Sequence, residues 1–477
     1  MKKYEQLYHN VKNQITGDYF DQGERLLSLR EQASQSGYSL NTVIKAYDLL
    51  VDEGFIKTTE RGGYYINQKA LPMTQQGIGT PHPLPDRYVT EARKSGQRLD
   101  QLYAQLITID PTFACAAPED DILPGELLKK LMLKLDHSWL NYGDLEGDTR
   151  MKQRISLQYR NVSPGINPDD ILITNGATEG LALVLQQLLE DGDTLVVESP
   201  TYHNYFHQLS RRHVKIIEVP VGEKGLDLDI LQEELIHNKV KMVIAQPNVH
   251  NPTGITMAED EKKRLVNLAI EYQFYLLQDD VYGDLSFNKV RPTNLCYYSD
   301  SPLIITLSSF SKSIAPGIRL GWIHAKGRIK ELAEAKLALS MESNHLSQEL
   351  MKQFVATKAH RQHLLGLRSA LEKRIDDHIQ YLSEVLPPGS YIRKPSGACL
   401  LWVALPEDID GTKVFEKAAG KGIIAAPGAL FSTSHHFDHY IRLNVGHKLT
   451  ESRKRALTVL GQTAQELRTG EYHKDCH

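Results

Sequence analysis

Long apolar runs are missing from this chain of 477 residues. No stretch reaches the length needed to cross a bilayer, so a helical membrane protein is excluded. The opening MKKYEQLYHNVKNQ is polar from its first residue and has no apolar signal core. Cysteine is scarce: Cys115, Cys296, Cys399 and Cys476 are scattered, with no C-x-x-C pair. That usage fits reduced thiols in a cytoplasmic protein rather than a disulfide framework. Net charge is nearly absent, since 55 Lys and Arg against 59 Asp and Glu leave −4. A contact with nucleic acid must therefore come from a local patch. Metal-ligand spacing is lacking as well. His203 and His207 in HNYFH, and His435, His436 and His439 in SHHFDH, match neither H-E-x-x-H nor a Cys/His zinc pattern. They read as solvated or hydrogen-bonded histidines, and no metal is expected. No internal repeat recurs at periods of about 20 to 50 residues.

What is present is the composition of an ordinary globular protein, 41% hydrophobic and 24% charged, with length for two or three domains. Three regions follow one another. Residues 1–68 hold short helical patterns and then IKTTERGGYYI, a hairpin-like stretch around Gly62 and Gly63. Residues 69–95 carry Pro72, Pro81, Pro83 and Pro85, lack periodicity and read as a partly extended linker. In residues 96–477 apolar strands alternate with amphipathic helices: DDILITNG, DTLVVES, VKIIEVPV, KMVIAQP, FYLLQDD and PLIITLSS are the strands. Strands without internal alternation, separated by helices, predict an α/β fold with a mainly parallel sheet covered on both faces. A larger lobe is expected at about 150–340. A smaller α+β lobe is expected from 96–149 and 341–477, with GACLLWVAL, GIIAAPG and YIRLNV as its strands.

The front region contains two helices joined by a tight turn. The first opens at Ser28 with Glu31 three residues on, a capping box; the turn carries Gly37; the second helix begins near Ser39. Val43, Ala46, Tyr47 and Leu50 share one face, which leaves Asn41, Thr42 and Lys45 outward, where a recognition helix presents side chains to bases. Arg61 sits at the hairpin tip as a wing residue. These segments resemble the GntR-type winged helix-turn-helix through Gly23, Arg25-Leu26, Ser28-Leu29-Arg30, Asn41-Thr42-Val43 and Glu53-Gly54-Phe55. The resemblance implies binding to a double-stranded DNA operator through Arg25, Arg30, Ser39, Asn41, Thr42, Lys45 and Arg61. Two departures stand out: Leu27 replaces the usual proline, and Ser39-Leu40-Asn41 lacks the usual arginine. Nine Lys and Arg face nine Asp and Glu in residues 1–69, so phosphate contacts must come from a few positions.

The second region raises a chemical question in SSFSKSIAPGIRLGWI. Lys312 follows a buried strand among serines, with Arg319 seven residues on. A lysine at a strand end is suited to a Schiff base, and pyridoxal phosphate is the common carbonyl partner. Each need of that group has a candidate. The turn TNGATEG offers Gly176, Ala177 and Thr178 at a helix N-terminus for the phosphate. Asp279 ends a strand as the carboxylate for the ring nitrogen, and Tyr282 and Asn251 are placed for the ring hydroxyl. Tyr202 supplies a ring to stack on, while Ser309, Ser311 and Arg319 supply further phosphate donors. All lie at the carboxyl ends of predicted strands, where open α/β sheets bind ligands. Ser309-Phe310-Ser311-Lys312 also satisfies S-x-x-K, but the S-D-N and K-T-G elements of the penicillin-binding hydrolases do not occur.

HNPTG, DDVYGDL and SFSKSIAPGIRLGW resemble fold-type I pyridoxal-phosphate enzymes, the aspartate aminotransferase superfamily, over roughly residues 96–477. That resemblance implies a seven-stranded-type sheet, an internal aldimine at Lys312, and catalytic roles for Lys312, Asp279 and Tyr202. It implies Arg442, in YIRLNVGH, as the substrate-carboxylate residue. Tyr142, in NYGDLEG, matches the tyrosine that reaches the phosphate from a neighbouring subunit, which implies a homodimer. The family commonly has Leu-Arg where Met151-Lys152 stand and often a glycine where Ala398 stands. The order of reader, linker and aminotransferase-like domain resembles the MocR/GabR regulators. It implies a transcriptional regulator that responds to pyridoxal 5'-phosphate or a small amino compound. A working aminotransferase with an accessory DNA-binding domain is the competing reading, because the catalytic residues are all kept.

Overall fold

The computed structural model describes residues 3–16, 25–52, 55–58, 63–66, 88–91, 113–160, 162–288 and 290–469. The chain divides into two compact units, Met1–Gly77 and Ile78–His477.

In the first unit the helices Lys3–Thr16, Leu29–Ser36 and Leu40–Asp52 precede a hairpin of β1 (Ile56–Thr58) and β2 (Tyr64–Ile66). The helix signals act as their chemistry dictates. Ser28 Oγ accepts from the Glu31 amide at 3.3 Å, and Glu31 Oε2 accepts from the Ser28 amide at 2.8 Å. Gly37 ends that helix in the left-handed region at φ 69°. Val43, Ala46, Tyr47 and Leu50 are fully buried against Leu7, Tyr8, Val11, Leu26 and Ile56. Tyr47 keeps its hydroxyl satisfied by donating to the Leu27 carbonyl at 3.0 Å. The hairpin pairs antiparallel with Ile56 opposite Ile66.

The second unit is built on a nine-stranded sheet. Its strands are β3 (Tyr88–Glu91), β4 (Ile171–Thr174), β5 (Thr194–Ser199), β6 (Lys215–Gly222), β7 (Gly225–Leu226), β8 (Val240–Ala245), β9 (Tyr275–Asp279), β10 (Ile304–Ser309) and β11 (Gly321–Ala325). The order is β3-β6-β5-β8-β9-β10-β11-β4, with β7 hairpinned on β6. β6, β5, β8, β9 and β10 run parallel. β11 is antiparallel to both its neighbours, so β4 points the same way as the parallel set. The mainly parallel core of seven strands is thus present, extended by β3 and β7. Tyr88–Glu91 falls inside the stretch read from sequence as linker, yet it pairs with β6 as an edge strand. Four residues with two exposed apolar side chains carry too little periodicity to announce a strand.

Each sheet face has its own apolar layer. Leu195, Val197, Ile244, Leu277 and Leu307 pack with the Ala177–Leu188 and Ile329–Leu339 helices. Val196, Val243, Leu276 and Trp322 pack with the Thr149–Tyr159, Leu228–His237 and Glu259–Glu271 helices. Leu128 and the His345–Phe354 helix also join this second layer. Both segments, expected in the smaller lobe, therefore pack with the larger one, because their apolar faces are buried there. The smaller lobe has a four-stranded sheet in the order β12-β13-β15-β14, with β12 (Tyr391–Ile392), β13 (Leu400–Ala404), β14 (Ala426–Pro427) and β15 (Tyr440–Asn444). It packs on the Lys358–Val385, Gly411–Ala419 and Glu451–Thr469 helices. Because β4, β5, β8, β9 and β10 share one direction, their carboxyl ends line one edge of the large sheet.

Candidate cofactor site and DNA-reading surface

Along that edge the chain makes an anion cradle. β4 runs into the Ala177–Leu188 helix through Gly176, which caps the helix at φ 88°. A side chain there would bring its Cβ to 2.8 Å from Arg319 Nη2, so only glycine lets the guanidinium lie against the cap. Arg319 itself adopts the left-handed region at φ 47°, a strained choice for arginine, and donates from Nη1 to Ser311 Oγ at 3.2 Å. Ser309 Oγ stands 2.9 Å from Ser311 Oγ. First-turn amides, two hydroxyls and a guanidinium thus converge, a donor set made for a phosphate.

Ala177, Thr178, Tyr202, Asn251, Asp279, Tyr282, Ser309, Ser311, Lys312 and Arg319 line one cleft. The Lys312 amine is pulled below its ordinary range by burial, and the charges of Arg442 and Arg319 add to the effect. Asp279, the last residue of β9, is pushed up to about 6 by burial, against the hydrogen bonds from Tyr205 and the Val281 amide. Asn251 Oδ1 accepts from Arg442 Nη1 at 3.2 Å. A guanidinium has only donors, so this fixes the amide orientation and leaves the Asn251 NH2 to donate. Arg442 is 2% exposed, stacks over the Phe431 ring at 5.0 Å and donates to the Ala114 carbonyl. It reaches the cleft wall through Asn251 rather than forming that wall itself. Tyr282 gives its hydroxyl to the Ala116 carbonyl at 3.3 Å.

One predicted residue lies elsewhere in this chain: Tyr142 is 83% exposed and is not among the cleft residues. The sequence reading also overlooked Tyr205, whose hydroxyl donates to Asp279 Oδ2 at 2.7 Å, as well as Ala116, Asn204 and Gln246 in the cleft lining. Tyr205 had a signal, since it follows Tyr202 by three residues and so returns to the same side of a helical turn. Asp148, His345 and Glu349 converge within metal-binding reach of one another. The two carboxylates there already hold the Lys352 ammonium, at 2.9 and 2.6 Å.

On the first unit Arg25, Arg30, Ser39, Asn41 and Lys45 are exposed and Thr42 is half-buried. Ser39 Oγ and Thr42 Oγ1 stand 2.8 Å apart, and Ser39 Oγ also accepts from the Thr42 amide, so this pair caps its own helix. Asn41 and Lys45, four residues apart, lie off the buried face, with Lys45 Nζ 6.0 Å from the Tyr4 ring centroid. Arg25 bridges antiparallel to Tyr65 of the hairpin. Arg61 lies outside the described residues.

The family described as aminotransferase class I and II matches residues 112–460. The uncharacterized HTH-type transcriptional regulator YdcR of Escherichia coli (strain K12) is 30% identical over 471 residues, 98% of this chain and 100% of that one. The chain belongs to the MocR/GabR-type regulators. Aromatic-amino-acid aminotransferase 1 of Thermococcus litoralis is 30% identical to this MocR/GabR-type chain over 350 residues, 72% of it and 84% of the enzyme. The kynurenine aminotransferase of Pyrococcus horikoshii, solved in complex with PMP, superposes with a TM-score of 0.71 at 29% identity, covering 77% of this chain and 94% of that one.

As in other MocR/GabR-type regulators, the fold is a winged helix-turn-helix joined to a fold-type I aminotransferase-like domain, and the cofactor is pyridoxal 5'-phosphate. The cleft fits that group: the glycine cap a Cβ would fill suits its phosphate, and the buried acid at Asp279 suits its ring nitrogen. Among the described residues no helix is long and apolar enough to cross a membrane.

Proposed function

We infer that the protein is a DNA-binding transcriptional regulator whose aminotransferase-like unit senses pyridoxal 5'-phosphate, or an amino compound that reacts with it, through Lys312. The observation that carries this reading is one cleft in which Lys312, Asp279 and a phosphate cradle meet, within a chain that resembles an HTH-type transcriptional regulator over its whole length. The cofactor supplies an electron sink when bound. Lys312 would hold the group, and its amine, lowered by burial, would be available to accept a proton from the ligand's Cα. Asp279 would serve the ring nitrogen, Asn251 and Tyr282 would serve the ring hydroxyl, and Arg442 would receive an α-carboxylate.

The working form is a homodimer. Tyr142, Met132, Leu133 and Leu140 are exposed in the single chain, and a second copy would cover Tyr142, which would then serve the partner's cofactor site. Effector binding then alters how the two readers engage a double-stranded operator, a coupling between distinct sites.

The test is to load the protein with pyridoxal 5'-phosphate and follow its visible absorbance alongside gel shifts on the DNA upstream of its own gene. Lys312→Ala is expected to abolish the covalent absorbance and the effector-dependent change in the shift. Retention of that absorbance by Lys312→Ala would overturn the assignment. A second reading, a working aminotransferase, is supported by the retained Lys312, Asp279 and Arg442 set. Repeated turnover of an amino donor without sequence-selective DNA binding would favour it.

A further inference from the structure

β6 carries a carboxylate that the cofactor site does not use. Glu218 is 0% exposed. Its oxygens accept from Ser199 Oγ and the Thr433 amide, each at 2.8 Å, and from the hydroxyls of Ser432 and Thr433. Burying a carboxylate among neutral donors is costly, and burial does push this carboxyl above the usual range while the donors oppose the push. A neutral side chain of the same size would cost less, so the arrangement invites a functional account.

The geometry connects two ends of the domain. Ser432 and Thr433 follow Phe431, whose ring lies under the Arg442 guanidinium at 5.0 Å and whose carbonyl accepts from the Thr201 amide at 2.7 Å. On the opposite side, Glu218 is the direct cross-strand partner of Tyr88 in the β3–β6 pair. β3 is the first described strand after the DNA-reading unit. The Glu218 side chain therefore binds the segment beneath Arg442, while its backbone lies in β6 opposite Tyr88 of β3.

We propose that Glu218 is a positioning residue that holds Phe431–Thr433 beneath Arg442 and anchors that segment to β6, the strand on which β3 pairs, so that an α-amino acid, but not the corresponding simple amine, changes the β3–β6 pairing. The inference rests on Arg442 receiving the effector's carboxylate. An incoming carboxylate shifts Arg442 and Phe431, the shift passes to Glu218 through Ser432 and Thr433, and β3 responds.

The experiment uses full-length, cofactor-loaded protein titrated with two pairs of probes, L-alanine with ethylamine and L-phenylalanine with phenethylamine. Cofactor absorbance gives the affinity ratio of acid to amine, and hydrogen exchange reads the Tyr88–Glu91 amides. In Glu218→Gln the ratio should fall about tenfold, a typical coupling, while amine affinity and cofactor loading stay unchanged. The exchange change that the amino acid induces in wild type should vanish. Ser432→Ala, which removes one donor without placing an unpaired amide in the cluster, should act in the same direction and decides the matter if Glu218→Gln does not fold. If Arg442→Gln abolishes the ratio but both Glu218→Gln and Ser432→Ala preserve ratio and exchange response, this inference alone is wrong. If Arg442→Gln leaves the ratio unchanged, the reading of Arg442 fails and takes the inference with it.

Discussion

Tyr205 donates its hydroxyl to Asp279 Oδ2 at 2.7 Å, which places a neutral donor on the acid that, in the proposed function, holds the cofactor's ring nitrogen in its ionised form. Asp279 is pushed up from 3.8 to about 6, chiefly by burial. The folded, cofactor-free chain thus keeps a proton between these values that the unfolded chain has lost. Asp279's contribution to stability is full below 3.8 and is lost as pH rises through 6. At pH 8 Asp279→Asn is therefore expected to stabilise the cofactor-free protein by about 2–3 kcal/mol in urea unfolding, while abolishing cofactor binding. Tyr205→Phe removes a hydrogen bond to the ionised form, so the pH midpoint for cofactor loading should rise by about one unit. Equilibrium dialysis across pH measures it, and an unmoved midpoint would show that Tyr205 does not tune the acid.

Gly176→Ala tests the cradle. The new Cβ would lie 2.8 Å from Arg319 Nη2, and φ 88° is unfavourable to any side chain. The flexible guanidinium can yield, so the fold is expected to lose only about 1–2 kcal/mol. Cofactor affinity should fall by at least about tenfold, because the displaced group is the proposed phosphate donor. Free phosphate competing against the cofactor gives the check: competition should weaken in parallel. Unchanged affinity would mean that Arg319 does not serve the phosphate.

Much of this site was legible because each requirement of the chemistry sits at a strand end with a distinctive turn. Ala177, Asn251, Asp279 and Lys312 could be found one at a time from local sequence, and the parallel sheet then brings them together. What stayed hidden depends on contacts between distant residues. Glu218 meets Ser432 from 214 positions away, and no local pattern marks either. The Arg442–Asn251 hydrogen bond spans 191 positions and explains how an arginine outside the cleft wall acts on the cleft. In the first unit the reverse holds: helix caps and a buried face at Val43, Ala46, Tyr47 and Leu50 are local, so the pattern alone gave their arrangement.

Lys336 offers a pH test away from the cofactor. It is fully buried, donates to the carbonyls of Leu145 and Ile173 at 2.9 Å each, and is lowered from 10.5 to about 8 by burial. Between these values the unfolded chain holds a proton that the folded chain has lost, so stability rises with pH across that window. Relative to Lys336→Met, the wild type should gain about 3 kcal/mol of unfolding free energy over it. Parallel pH profiles of the two proteins would argue that Lys336 is not the titrating group.

The proposed DNA-reading face can be dissected through Asn41 and Lys45, which project from the Leu40–Asp52 helix on the side away from its buried residues. The two should fail differently, because base edges carry sequence and phosphates carry only charge. Asn41→Ala is expected to cost about 1–3 kcal/mol on the operator and little on unrelated DNA, which narrows the gap between them. Lys45→Ala should weaken both alike and reduce the salt slope of binding by about one. Ser39→Ala should act through stability instead, about 1 kcal/mol, because its hydroxyl caps the helix at the Thr42 amide. Gel shifts at several salt concentrations separate the three. If Asn41→Ala weakens operator and unrelated DNA equally, the helix does not read bases through that residue and the recognition face must be reassigned.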